Sequence, residues 1–130
     1  MNIQGKPESI ISKKAYAFAL EIVNLYKLLA EQKREFVLSK QLLWAGTSIG
    51  ANVNEAISAQ SKRDFVHKLS IALKEARETS YWLNLLKDSN YMTTETFQNI
   101  SNDCSEIQKI LSSIILTTKQ RYFTIKPTNS

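Results

Sequence analysis

The chain has 130 residues, of which 43% are hydrophobic and 22% charged, with three Gly, two Pro and one Cys. This is enough for one domain that buries its own core; so few turn-formers argue against an all-β sandwich or barrel, and a single cysteine excludes an internal disulfide framework and a thiolate zinc cluster. The formal net charge of +5 favours a polyanionic partner without establishing one.

The first segment carries Ile11, Ala15, Phe18, Ile22, Leu25 and Leu29 at spacings of three and four, which keeps them on one helical face. It predicts a helix over about 9–32. The charged stretch "EQKREF" breaks the pattern. A second stripe, Leu38, Leu42, Ala45, Ile49, Val53 and Ala56, predicts a helix over about 36–58. Ser61 followed by Asp64 is a variant of the capping box. It opens a third helix over about 62–88, with a stripe of Phe65, Leu69, Ala72, Ala76, Thr79, Leu83 and Leu86. Thr93 or Thr94 can cap a fourth helix over about 94–119, whose stripe is Phe97, Ile100, Cys104, Ile107, Leu111, Ile114 and Thr118. The remainder, 120–130, carries a proline and polar residues and is expected to be loosely ordered. Connections this short make consecutive helices antiparallel. The predicted fold is all-α, a single up-down-up-down four-helix bundle.

No apolar run approaches the roughly 18–20 residues of a membrane span. The opening "MNIQGKPESIISKK" lacks the segments of a signal peptide. No membrane association and a cytoplasmic location are expected.

The stretch "AGTSIGANVNEA" holds Gly46 and Gly50, each of which costs a helix interior about 1 kcal/mol against alanine. A phosphate-binding loop would need wider glycine spacing, a following lysine and a preceding strand. The apolar stripe instead runs straight through both glycines. They therefore read as sites of close helix packing. A polar row of Gln41, Trp44, Ser48, Asn52 and Glu55 borders the stripe. At a core edge such groups need partners, and Asn52 and Glu55 are expected to hydrogen-bond to the next helix.

The same region carries "SI-x-x-N" with a glutamate three residues on, at Ser48, Ile49, Asn52 and Glu55. It continues as Ser61, Asp64 and Phe65, then Ile71, Ala72, Leu73 and Glu78. In these motifs the chain resembles a four-helix-bundle family of bacterial proteins first noticed as open reading frames in intervening sequences of large-subunit ribosomal RNA genes. It departs at Gly50, where many relatives have serine or proline. The resemblance implies an antiparallel bundle that assembles into a homopentamer. It also implies kinship to the accessory variability determinant of diversity-generating retroelements, a basic pentamer that works with a reverse transcriptase and RNA.

Enzymatic readings fail on residue types. A di-iron bundle needs two Glu-x-x-His motifs, and the chain has one histidine, His67, and no such motif. Cys104 lies on an apolar stripe, where a buried, inert thiol is expected. Glu75 and Glu78 sit among Lys74 and Arg77 and read as solvated ion pairing. No enzyme, metal or cofactor is expected.

The third helix offers a row of Arg63, His67, Ser70, Lys74, Arg77 and Tyr81 opposite its apolar stripe, with Lys62 and Lys68 beside it. Lys62, Arg63, Lys68, Lys74 and Arg77 are the candidate nucleic-acid-binding residues, because clustered cations on a stiff element attract phosphates. Surplus apolar residues (Ile10, Ala17, Leu20 and Leu28 on the first helix; Ile110, Ile115 and Leu116 on the fourth) mark a self-association surface. The function expected is a non-enzymatic, self-associating module binding RNA or a nucleoprotein such as a reverse transcriptase. The alternative is a structural or protein-binding scaffold without nucleic-acid affinity.

Overall fold

A computed structural model describes residues 6–123. Four helices follow one another: α1 (Pro7–Glu31), α2 (Leu38–Ile57), α3 (Lys62–Asp88) and α4 (Thr94–Tyr122). Each packs on its two neighbours in a closed ring, α1 against α2, α2 against α3, α3 against α4, and α4 back against α1 along the thinnest seam.

Local chemistry sets the boundaries. Pro7 opens α1, where its missing N–H would have had no helical partner anyway. The Ser61 side chain accepts from the Asp64 N–H at 3.0 Å, and Thr93 accepts from the Thr96 N–H at 3.1 Å, so both hydroxyls cap as their positions predict. After α3, Asn90 adopts φ 67°, and the Tyr91 N–H reaches the Leu86 carbonyl at 2.9 Å. A left-handed residue just past the helix closes its last carbonyls, and asparagine tolerates that backbone.

The start of α2 differs from the sequence expectation by two residues, and Glu35 is the reason. Its carboxylate accepts from the N–H groups of Val37, Leu38 and Ser39 at 3.1, 3.0 and 2.7 Å. The Ser39 hydroxyl donates back to the Glu35 carbonyl at 2.7 Å. The charged break is thus a carboxylate cap folded over the first turn, and Glu35 is buried in it. At the other end of the chain α4 runs through Tyr122, so 120–122 is helix rather than loose tail. The final segment, 124–130, lies outside the described residues.

The core follows the four stripes with three changes, the first at the start of α2, where Ser39 is buried and Leu38 only half-buried. Val66 is buried in place of Phe65, and Ile115 in place of Ile114; Phe65 and Ile114 are half-buried beside the core. Phe18, Ile22, Leu29, Leu42, Ile49 and Leu69 are among its fully buried side chains. Both glycines of α2 face α1. A Cβ on Gly46 would stand 2.7 Å from Ile22 Cγ1, whereas one on Gly50 would meet the Ala15 carbonyl oxygen at an ordinary 3.5 Å.

Candidate functional site

Arg63, His67, Ser70, Lys74, Arg77 and Tyr81 all lie exposed along α3. Between Arg63 and Arg77 the helix advances roughly 21 Å at 1.5 Å per residue, so the row is a strip rather than a pocket. At its far end Tyr81 stands free to solvent on one side. On the other, Trp82 meets it edge-on, ring centroids 5.0 Å apart at 79°. The Trp82 indole N–H donates to the Glu78 carboxylate at 3.2 Å. Glu78 is therefore engaged along its own helix, next to the cations rather than between them.

The five candidate cations do not share one environment. Lys74 and Arg77 are open to solvent in mid-helix. Lys68 is turned aside: its ammonium pairs with Glu55 of α2 at 2.9 Å, and that hydrogen bond and charge hold its pKa above the ordinary lysine value. Lys62 and Arg63 lie against aromatic rings. The Lys62 ammonium is 4.9 Å from the Tyr122 ring centroid, and the Arg63 guanidinium 5.6 Å from that of Phe123. Reading 120–130 as loose tail hid these contacts, although "RYF" directly after a helical stripe was the available signal.

The polar motif divides as well. Glu55 reaches α3 through Lys68, as expected. Asn52 instead donates to the Ser48 carbonyl of its own helix at 2.9 Å, and the Ser48 hydroxyl donates to Trp44 at 2.6 Å. Half-buried amides and hydroxyls one turn above a carbonyl satisfy themselves locally, so Asn52 does not set the register of α3.

A polar lock between α3 and α4, unmarked in the sequence reading, surrounds Cys104. The Gln108 amide donates to the Ser80 hydroxyl at 2.9 Å and to the Ala76 carbonyl at 3.3 Å, and the Cys104 thiol donates to that same carbonyl at 3.3 Å. Burial pushes the thiol pKa up, against the hydrogen bonds from Ser80 and Gln108, so the thiol stays protonated and inert.

Two carboxyl groups stand above their ordinary range. Glu75 is raised by burial and by the charge of Glu78, with Lys74 opposing. Glu21, on α1, is raised to about 7 by burial of its carboxyl, by a hydrogen bond with Asp103 of α4 and by the Asp103 charge. No group of three or more His, Cys, Asp or Glu among the described residues is arranged to hold a metal ion, and no helix among them is long and apolar enough to cross a membrane.

The family model of the 23S rRNA-intervening sequence protein matches residues 7–113. Among solved structures, a protein of unknown function from the S23 ribosomal protein family of Bacteroides thetaiotaomicron is 53% identical. The match covers 85% of this chain and 99% of that one, with a TM-score of 0.84. No curated protein matches the chain. A family match across nearly the whole bundle, with a solved relative of the same architecture, places this chain in the 23S rRNA-intervening sequence protein family.

Proposed function

We propose that the protein is a non-enzymatic, self-associating module that binds RNA, free or within a nucleoprotein, through the exposed basic row of α3. The observation that carries this reading is the placement of Arg63, Lys74 and Arg77 on one open face of a long helix, with an edge-supported tyrosine at its end. Cations on a stiff scaffold release counterions from phosphates without any sequence readout, and an exposed ring adds stacking on unpaired bases. The family description, which names a 23S rRNA-intervening sequence, is in keeping with an RNA context.

Self-association is supported by apolar side chains left outside the core. Leu20, Leu28 and Leu116 are 50%, 40% and 57% exposed, and Ile10 is open to solvent beside the half-buried Ile110. Ile115 is not part of this surface, because it is buried in the bundle. Large apolar side chains exposed together favour closed assemblies. The family resemblance suggests five subunits, and repeating the basic row by symmetry would multiply a weak attraction into avidity.

The test is native mass spectrometry at micromolar concentration combined with filter binding of a structured RNA across a salt series. A closed oligomer whose RNA affinity falls steeply with salt supports the proposal. An oligomer with no affinity at low salt would instead leave a protein-binding scaffold.

A further inference from the structure

At the end of the bundle where α3 begins and α4 finishes, aromatic rings and cations alternate. Tyr122 and Phe123 are 50% and 38% exposed. Lys62 lies 4.9 Å from the Tyr122 ring and 5.9 Å from the Phe65 ring, and Arg63 lies 5.6 Å from the Phe123 ring. Beside Tyr122 a groove of about 560 Å³ opens, lined by residues of α1, α3 and α4. Its apolar floor is Ile10, Phe65, Ile110 and Ile114, and Lys62, Lys109 and Arg121 stand on its rim, opposed by Glu8. Arg63 and Phe123 border a second hollow of about 430 Å³ next to it.

The chemistry of this end differs from that of the α3 row. The α3 row offers a single ring, Tyr81, at the far end of its cations, whereas this end sets two rings, each with a cation over its face, beside an apolar groove and so answers a base and its phosphate together. Every base has a π-face, and in single strands that face is available; in a duplex it is covered by its neighbours. The lysine ammonium sits on a flexible four-carbon stem, so it can leave a ring face for a phosphate without moving the backbone. Stacking a base on the vacated ring then replaces an exposed cation–π contact with a larger one.

We infer that this end of the bundle is a binding site for single-stranded RNA, with Tyr122 and Phe123 stacking bases, Lys62, Arg63 and Arg121 holding the adjoining phosphates, and Lys109, roughly 20 Å back along α4, meeting a phosphate farther along the groove. The inference rests on the RNA-binding reading above and adds to it a strand preference and a second locus. The single strand enters at the rings, and its continuation runs onto the α3 row through Arg63, which belongs to both.

The experiment measures fluorescence anisotropy of a labelled short oligouridine and of the matched RNA duplex on the full-length protein. It compares the parent, Tyr122→Leu with Phe123→Leu, and Lys74→Glu with Arg77→Glu. Leucine keeps apolar volume while removing the rings. The parent should prefer the single strand, and the leucine variant should lose that preference through at least about a tenfold weaker oligouridine affinity, with duplex binding unchanged. Equal loss on both probes, or none, would overturn the inference while leaving the α3 row intact. So would equal affinity of the parent for a poly-glutamate peptide, or dissociation of the leucine variant into monomers in native mass spectrometry. Loss of binding in the α3 charge variant together with full activity of the leucine variant would refute only the second locus. Absence of RNA binding by the parent would refute both.

Discussion

Ile22 of α1 occupies the space that a side chain on Gly46 of α2 would need: a Cβ there would lie 2.7 Å from Ile22 Cγ1 and 2.9 Å from Cγ2. Ile22 is fully buried and branched at Cβ, so it cannot swing away. The low helix propensity of Gly46 is the cost of bringing α1 and α2 this close, and packing offsets it. Gly50, one turn on, has room for a methyl group.

The two glycines should therefore respond in opposite directions. Gly46→Ala is expected to lower the denaturant midpoint by the equivalent of about 1–3 kcal/mol through overpacking. Gly50→Ala should leave stability unchanged or raise it by up to about 1 kcal/mol through helix propensity. Urea titrations of both variants at constant slope decide the matter.

The stripes that define this core were legible because a period of 3.6 leaves few choices of face. At Leu38 the stripe gave way to Ser39, which is buried in the Glu35 cap; at Phe65 for Val66 and Ile114 for Ile115, two neighbouring apolar residues competed for one position. These last two fall at the same end of the bundle, where Phe65 and Ile114 line the groove shared by α1, α3 and α4. Nothing local distinguishes a residue facing the core from one facing a groove beside it. Serine and threonine caps were equally legible, since their spacing is fixed. The Glu35 cap was not, because its acceptor sits just after a reversal at which Arg34 takes φ 56°, and a charged run gives no sign of that reversal. Of the candidate cations, the exposed face was readable from helical phase. The diversion of Lys68 to Glu55 and the rings beneath Lys62 and Arg63 depend on neighbouring helices and were not.

Glu35 ties the chain reversal to α2 and makes its stability depend on pH. Burial would raise its pKa, but the three backbone N–H bonds and the Ser39 hydroxyl outweigh that and leave it below the ordinary 4.5. A lowered acid stabilises the fold fully above its unfolded value, and the stabilisation is lost as pH falls through the folded one. Glu35→Ala should cost about 1–2 kcal/mol at neutral pH, in the range of a lost cap. The gap between parent and variant should close in acid. Thermal melts across an acid series would show it, and a gap independent of pH would contradict the cap.

Glu21 has the opposite sign. Its folded value of about 7 lies above the ordinary 4.5, so the stability it contributes is present below 4.5 and is lost as pH rises through about 7. Glu21→Gln keeps an amide donor toward Asp103 and does not titrate. Its melting temperature should overtake that of the parent as pH rises through this window, and a carbon-detected titration of the Glu21 carboxyl should find the raised value directly.

Lys68 and Lys74 are both cations of α3, yet they should contribute unequally to RNA binding. The Lys68 ammonium is held by Glu55 at 2.9 Å, whereas Lys74 is open. Lys74→Gln should weaken RNA affinity and flatten its salt dependence, and Lys68→Gln should do so less. Filter binding at matched ionic strength compares them. Equal losses would mean that the Glu55 pair opens on binding.

The most direct measurement of the proposed RNA-binding role is the salt dependence of affinity for the double variant Lys74→Glu with Arg77→Glu. Neither side chain is in the core, so fold and oligomer should survive, as circular dichroism and native mass spectrometry would register. Each lost phosphate contact should flatten the log–log slope by about 0.7–0.9, so the variant should bind RNA far more weakly and with a shallower slope. Binding equal to the parent would contradict the account. Dissociation into monomers would contradict it too, since these charges would then serve a subunit interface rather than RNA.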